Sequence, residues 1–322
     1  MRLSGERLLQ LRIKTLYSMD IMDKRVLRLE APVTRVNRAL ALFFAVLVSA
    51  GAAAAQSLNW EGQTGVFITP LAYTAASPGN GFGHPIVAYH FLNAGSVLGN
   101  FHTVSVTEGL AGRVEFGYTR DIHQQGSSAD FSPLWDTGFN LVHAKVNFVK
   151  ENAGKNAWLP AFSAGFVVRS QDRNVSGLLT VPHKDYTNAD YYLVATKTIT
   201  QTKVLPIVLN LGYKATNASV YGLAGNAPAY RGRLFGAAGF VVKGPAKSTI
   251  ILASEFSQEP REVQNLPGAI VPTTITYAAR IVPSEKHKLN IDFGVAQAAG
   301  TIEPGVNLEA RHQFALGISY GL

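Results

Sequence analysis

Apolar residues recur at every second position along most of the chain after residue 56. In one clear stretch the apolar positions are Leu289, Ile291, Phe293 and Val295, and the positions between them are polar or glycine. Because successive side chains of a β-strand point to opposite faces, this period predicts strands with one apolar face. The i, i+3, i+4 spacing of an amphipathic helix is almost absent. The pattern therefore predicts an all-β chain.

Twelve stretches of this kind are predicted, and the links between them alternate in length. They span 85–92, 100–107, 113–121, 138–149, 161–170, 190–199, 204–214, 233–243, 248–256, 273–282, 287–296 and 311–322. From the third strand onward, long links such as Ala215–Gly232 alternate with short ones such as Gly244–Lys247. Short periplasmic turns opposite longer extracellular loops, with an even strand number, are typical of bacterial outer-membrane barrels. The pattern predicts an antiparallel transmembrane β-barrel of about 12 strands in residues 85–322, with a secreted soluble β-sandwich as the alternative.

Residues 1–55 have the features of an N-terminal extension and a signal peptide. Arg35 and Arg38 precede the apolar run Ala39–Ala50, and Ala53–Ala55 follow as an A-x-A cleavage site. The run is too short to span a bilayer, which needs about 20 apolar residues. We therefore expect export, removal of this segment, and localisation of the mature chain in the outer membrane.

Residues 56–84 precede the predicted barrel and allow two interpretations. Thr64–Thr69 is apolar enough for a strand, but a thirteenth strand would break the even count. Pro70 and Pro78 cannot donate ladder hydrogen bonds, and such irregular backbone cannot face lipid. We expect either a plug-like segment inside the barrel, with Trp60 or Phe67 packing there, or an extra strand.

Two motifs near the start of the mature chain resemble a known group of proteins. The first is Thr69-Pro70-Leu71-Ala72, which Gly65 precedes, and the second is Val114–Thr119, read as VEFGYT. Their order resembles uncharacterised Gram-negative outer-membrane β-barrels with a G-x-x-x-TP-x-A segment, including barrels associated with exopolysaccharide export. The resemblance implies an outer-membrane barrel and no particular chemistry.

Charged residues of the predicted strands fall on the polar face, which would line the lumen. They are Arg113, Glu115, Lys145, Arg169, Lys197, Lys214, Arg233, Glu255, Arg280, Lys288 and Asp292. A charge facing lipid near the bilayer midplane would cost about 2–4 kcal/mol, so their placement favours the barrel. One interpretation is a salt-bridged interior. The other is a mildly cation-lined passage for small anionic or sugar-like solutes.

The last predicted strand carries apolar residues at every second position up to the carboxylate. They are Phe314, Leu316, Ile318, Tyr320 and Leu322. In known barrels a final strand of this kind is the signal that the barrel-assembly machinery recognises, although most such strands end in Phe or Trp. We therefore expect this strand to be the assembly signal and to contact outer-membrane lipid.

The sequence contains little evidence for a catalytic site. The chain has no cysteine, which excludes disulfides, thiol nucleophiles and cysteine-ligated metals. Gly317–Gly321 spells G-x-S-x-G, but a nucleophile elbow needs a following helix and a later His. Ser163 and Ser254 have no His at matching positions for a lipid-hydrolysing barrel, which is the enzyme alternative. The eight His residues show no metal-ligand spacing, and we expect no catalytic, cofactor or metal site.

The net charge does not point to nucleic acid. Residues 1–56 carry +5 of the +8 total, so the mature chain is close to neutral and has no basic stripe. We expect a non-enzymatic outer-membrane barrel that acts as a narrow channel, as a transport or export component, or as a structural barrel. Twelve strands make a narrow lumen that side chains or a plug can fill, because wide aqueous channels begin near ~16 strands.

Overall fold

A computed structural model describes residues 57–127, 138–171, 187–202, 205–219, 224–259, 273–283, 288–299 and 312–322. Its strands are β1 (Ile86–Asn93), β2 (Gly99–Leu110), β3 (Val114–Gln125), β4 (Phe139–Val149), β5 (Ala161–Gln171), β6 (Asn188–Ile199), β7 (Ile207–Ser219), β8 (Ala224–Lys243), β9 (Thr249–Ser257), β10 (Thr273–Val282), β11 (Leu289–Ala299) and β12 (Gln313–Gly321). One short helix, α1 (Gly95–Leu98), connects β1 to β2. Within these ranges no helix is long and apolar enough to span a bilayer. The predicted signal peptide lies outside the described residues.

The strands form one closed barrel in which each pairs antiparallel with its neighbours in the chain. The barrel closes where β1 pairs with β12, from Ile86 opposite Gly321 to Leu92 opposite Ala315. This confirms the predicted twelve-strand antiparallel barrel and excludes the β-sandwich. The even number places the start of β1 and the end of β12 at the same end, with the short turns. We call this end the lower end and the opposite one the upper end.

The outer face of the barrel is apolar, as the alternating pattern predicts. Leu193, Leu211 and Val142 are 58%, 59% and 51% exposed, and tyrosines such as Tyr213 and Tyr277 share this face. Soluble proteins rarely expose contiguous apolar surface on this scale. An apolar exterior around a polar interior is the arrangement of a transmembrane barrel.

The prediction of a long loop over Ala215–Gly232 is wrong. β7 continues to Ser219 and β8 begins at Ala224, so most of this range is strand. The ladder extends past Thr216, which pairs with Arg231, through two register shifts. Outside the apolar band the backbone can still pair when the side chains are polar, so hydrophobic alternation does not mark the end of these strands.

Residues 57–75, which we call the inner segment, lie inside the barrel. Trp60 and Phe67 are 3% and 2% exposed, and both pack near the His90 ring of β1. Thr64–Thr69 forms no barrel strand, because its pairing consists of isolated bridges within the segment, such as Gly65 with Pro70. The chain leaves the interior of the barrel at the lower end, where Phe82 forms a β-bridge with Leu110.

The described interior contains both apolar clusters and buried polar groups. Trp60 and Phe67 join an apolar cluster that includes Phe101, Phe139 and Val167. Elsewhere around the inner segment the wall presents buried charges and hydroxyls. These polar groups form the candidate site.

Candidate functional site

Glu255 of β9 binds the backbone of the inner segment. Its carboxylate accepts hydrogen bonds from the amides of Phe67 at 3.0 Å, Ile68 at 3.1 Å and Thr69 at 2.7 Å, and from the Thr69 hydroxyl at 2.6 Å. Glu255 is 1% exposed. Because buried amides need acceptors, this carboxylate satisfies donors that a bent segment cannot pair within itself.

Glu115 and Lys145 hold a second part of the segment. They are direct cross-strand partners on β3 and β4 and form a fully buried ion pair of 3.1 Å. Glu115 accepts from the amides of Thr64 at 3.0 Å and Ala75 at 2.7 Å, while Lys145 Nζ donates to the carbonyl of Leu71 at 3.0 Å. Both charges are therefore paired with each other and with backbone groups, which a buried pair requires.

Arg280 and Asp292 form the third anchor. They face each other across β10 and β11, with Arg280 Nε 2.6 Å from Asp292 Oδ1. The guanidinium also donates to the carbonyls of Gly65 at 2.9 Å and Val66 at 2.6 Å. The Ser57 hydroxyl donates to Asp292 at 3.2 Å. One ion pair thus binds two separate parts of the segment.

Near the upper end the segment contributes a charge of its own. Glu61 accepts from Arg169 Nε at 2.7 Å and also from its Nη2. The same guanidinium donates to Asn188 Oδ1 at 2.9 Å and to Asp190 Oδ2 at 3.0 Å. Lys214 lies 3.9 Å from that Asp190 oxygen. The segment therefore completes a charged network on β5, β6 and β7.

Glu259 and Tyr73 are ionisable groups outside the strands. Lys214 Nζ donates to Glu259 Oε1 at 3.3 Å, and the Ser257 hydroxyl donates to the same oxygen at 2.8 Å. Burial raises the pKa of Glu259, and the charge of Lys214 opposes this. At the lower end the Tyr73 hydroxyl donates to Glu151 at 2.8 Å, and burial raises the pKa of Tyr73 above its ordinary value of 10.0.

The sequence-predicted lumen residues fall into two groups. Those that the structure brings together inside the barrel are Glu115, Lys145, Arg169, Lys214, Glu255, Arg280 and Asp292. Arg233 lies at the edge of this set, half-buried, with Nε donating to the carbonyl of Glu259 at 3.0 Å.

Three of the predicted positions belong to the lower rim instead. Arg113 is exposed in the β2–β3 turn and donates to the carbonyl of Asn147 at 3.2 Å. Lys197 pairs with Glu151 at 3.1 Å, and Lys288 donates to the carbonyl of Leu322 at 3.0 Å. Arg113 and Lys288 share the inward parity but lie at strand ends, which the register of a strand cannot show. The inward placement of Lys197 is wrong, because its cross-strand partner Leu209 is exposed on the outer face.

Of the two interpretations of the lumen charges, the charge balance favours a salt-bridged interior over a cation-lined passage. Buried carboxylates outnumber buried cations among the described residues by seven to four. The carboxylates are Glu61, Glu115, Asp121, Asp190, Glu255, Glu259 and Asp292, and the cations are Lys145, Arg169, Lys214 and Arg280. The prediction counted cations that lie on the rim and missed four acids. Asp121 and Asp190 were detectable from their inward parity, whereas Glu61 and Glu259 lie outside the strands.

A small cavity, partly open to solvent, lies between the inner segment and the walls of β5 to β9. It is lined by Glu61, Gln63, Ile68, Thr69, Pro70, Val167, Arg169, Asp190, Tyr192, Lys214, Phe235, Ser257 and Glu259. We call this cavity the upper pocket.

Solved structures similar to this chain are outer-membrane barrels, and no protein-family model or curated protein sequence matches it. The KdgM porin is 11% identical with a TM-score of 0.42, covering 74% of this chain and 99% of its own. The COG4313 outer membrane channel from Pseudomonas putida F1 is 12% identical with a TM-score of 0.42, covering 78% of this chain and 98% of its own. Values this low say nothing about substrate, so the function proposed below comes from the residues of this chain.

The residues of the expected assembly signal share the outer face of β12. Phe314, Ile318, Tyr320 and Leu322 are exposed, and Leu316 is half-buried. This strand pairs with both β11 and β1. The side chains are therefore on the face that would meet lipid while the backbone closes the barrel.

Of the three serines considered for catalysis, Ser319 and Ser163 point inward, whereas Ser254 is exposed on the outer face of β9. Ser319 of the G-x-S-x-G stretch is fully buried, and its hydroxyl accepts from the amide of Leu58 at 3.4 Å. Ser163 is also fully buried and donates to the carbonyl of Ala72 at 2.5 Å. Both hydroxyls bind the inner segment, so neither is on an outer wall where a lipid substrate would be.

Proposed function

We propose that the protein is an outer-membrane barrel whose channel is closed at rest by the inner segment and conducts small hydrophilic solutes when that segment moves. Export by the predicted signal peptide and assembly through β12 would deliver it to that membrane. The apolar exterior supports the location, because it suits lipid and not water.

The observation that carries the proposal is how the inner segment is attached. Side chains of the wall bind its backbone at three anchors: Glu255, the Glu115–Lys145 pair and the Arg280–Asp292 pair. A segment that was simply part of the sheet would pair by strand ladders. Hydrogen bonds from side chains can be replaced by water one at a time, so the segment can leave while the twelve-strand ladder stays closed.

The interior is also suited to water once the segment moves. The ion pairs Glu115–Lys145 and Arg280–Asp292 connect neighbouring wall strands and do not need the segment for their own pairing. Polar, paired walls are the lining of a conducting barrel, whereas a purely structural barrel has no need for buried charges.

A disulfide between segment and wall tests this proposal. A Cβ placed on Gly294 of β11 would lie 3.4 Å from Cγ of Phe67, close enough for a disulfide after F67C and G294C. We expect the oxidised double variant to remain closed in planar-bilayer recordings. After reduction it should open more often than the wild type, because the buried Phe67 ring that packs on His90 is lost.

The chain offers a clean control because it has no other cysteine. The F67C single variant cannot form an intramolecular disulfide, so oxidant should leave its openings unchanged. Equal opening frequencies in the oxidised and reduced double variant, with disulfide formation verified by mass spectrometry, would contradict gating by the inner segment.

A further inference from the structure

Each buried cation of the described barrel interior has a carboxylate partner outside the inner segment. The pairs are Lys145 with Glu115 at 3.1 Å, Arg280 with Asp292 at 2.6 Å, Arg169 with Asp190 at 3.0 Å and Lys214 with Glu259 at 3.3 Å. A buried charge needs a partner of opposite sign, and these four have one whether or not the inner segment is present. The cations would therefore stay neutralised in an open barrel.

Glu255 has no such partner. No Lys, Arg or His nitrogen in the described part of the chain lies within 4.0 Å of its carboxylate. The hydrogen bonds that it accepts all come from the inner segment, namely from the amides of Phe67, Ile68 and Thr69 and from the Thr69 hydroxyl. If the segment moved, this carboxylate would face water with no protein group bound to it.

The wall around Glu255 cannot replace the inner segment. The cross-strand partners of Glu255 are Ala237 of β8 and Thr276 of β10, and the neighbours on the same face of β9 are Ala253 and Ser257. None of these side chains carries a charge. The Thr276 hydroxyl is itself buried and has no hydrogen-bond partner among the described residues. The inner face thus presents an isolated carboxylate among small, uncharged side chains.

Lys214 is the cation that approaches this part of the wall, and its charge is already balanced. Its Nζ donates to Ser257 at 3.0 Å, two positions from Glu255. The same nitrogen donates to Glu259 at 3.3 Å and lies 3.9 Å from Asp190. Two carboxylates therefore hold Lys214 away from Glu255.

Asp121 is a second carboxylate of the wall without an ion pair in the described residues. It is 1% exposed on the inner face of β3, and its Oδ1 has no hydrogen-bond partner there. Departure of the inner segment removes Glu61, so six of the seven buried carboxylates would remain against four cations. The net negative charge of the open wall would come from Glu255 and Asp121.

We propose that the open channel prefers small cations to anions, and that Glu255 is the main determinant of this preference. The inference rests on the proposed opening, because the inner segment covers Glu255 in the closed state. Acidic side chains facing the pore are a common origin of cation selectivity. Even in water, a unit charge about 4 Å from a carboxylate is favoured or disfavoured about fivefold according to its sign.

The ratio of K⁺ to Cl⁻ permeability tests the proposal on the variant lacking Leu58–Asn80. We expect the reversal potential under a KCl gradient, at low ionic strength and neutral pH, to give a ratio of about five or more. Glu255→Gln should lower this ratio at least twofold, and Glu255→Lys should bring it below one. Since the segment is absent in this background, these substitutions change selectivity without changing closure.

Glu108→Gln is the matched control. It removes one negative charge from β2, but Glu108 shares the outward parity of Val104 and Val106, which are 49% and 46% exposed. The permeability ratio of this variant should equal that of its parent. The reduced F67C/G294C full-length protein provides the same ratio during its openings if the deletion variant does not fold.

The outcomes separate this inference from the proposed function. A heat-modifiable deletion variant that conducts no better than the wild type would overturn the proposed function and this inference with it. A larger conductance with a permeability ratio of one or below would overturn the inference alone. A cation preference that Glu255→Lys leaves unchanged would also overturn it, because another group would then set the selectivity.

Discussion

Deletion of Phe314–Leu322 should abolish assembly of the barrel. These residues make up nearly all of β12, which pairs with β11 on one side and closes the barrel against β1 on the other. Without β12, two strand edges with unpaired amides and carbonyls would face lipid, at a cost of several kcal/mol for each unsatisfied group. Outer-membrane fractions should contain no heat-modifiable, protease-resistant form of the truncated protein.

Leu322→Phe is the matched variant for this deletion. The Leu322 side chain is 55% exposed, and its amide donates to the carbonyl of Pro85 at 2.9 Å through the backbone, which the substitution leaves in place. This variant should assemble as well as the wild type or better. A truncated protein that still reaches the outer membrane and resists protease would show that the closing strand lies elsewhere.

Glu255→Ala should loosen the inner segment while the barrel stays closed. The substitution removes the acceptor of the buried Phe67 and Thr69 amides and of the partly buried Ile68 amide. Each unsatisfied buried donor costs about 1–3 kcal/mol, so binding of the segment to the wall should weaken by about 2 kcal/mol or more. The β9 ladders to β8 and β10 do not depend on this side chain.

Trp60 can report this loosening. It is 3% exposed, whereas Trp158 is 70% exposed, so a Trp135→Phe, Trp158→Phe background leaves one buried reporter in the segment. In this background Glu255→Ala should shift the Trp60 emission to longer wavelength and lower its transition midpoint in urea. Ser254→Ala, at the outward-facing neighbour, should change neither. Identical transitions in the two variants would show that Glu255 does not hold the segment.

The barrel itself could be predicted from the sequence because strand alternation and link length can be read from neighbouring residues. Alternation sets which side chain faces lipid, and link length separates the two ends, so residues such as Glu255 and Arg280 were placed on the inner face from parity alone. Strand ends were harder to predict. Arg113 and Lys288 follow the same parity but lie on the lower rim, and β8 continues far beyond its apolar positions.

The contents of the lumen depend on contacts that no short-range pattern encodes. Glu61 meets Arg169 across 108 positions of the chain, and Ser57 meets Asp292 across 235. Nothing in the local sequence of Thr64–Thr69 shows that side chains, and not a strand neighbour, bind its backbone. The acidic balance of the interior was missed for the same reason, because part of it comes from the segment and from Glu259 beyond the end of β9.

The central claim is that the inner segment closes the channel, and the single-channel conductance of a variant lacking Leu58–Asn80 tests it most directly. The twelve-strand ladder and the wall pairs Glu115–Lys145 and Arg280–Asp292 remain in this variant, so it should still run as a heat-modifiable barrel. Its conductance in planar bilayers should be clearly larger than that of the wild type. A folded, heat-modifiable variant with unchanged conductance would contradict the claim.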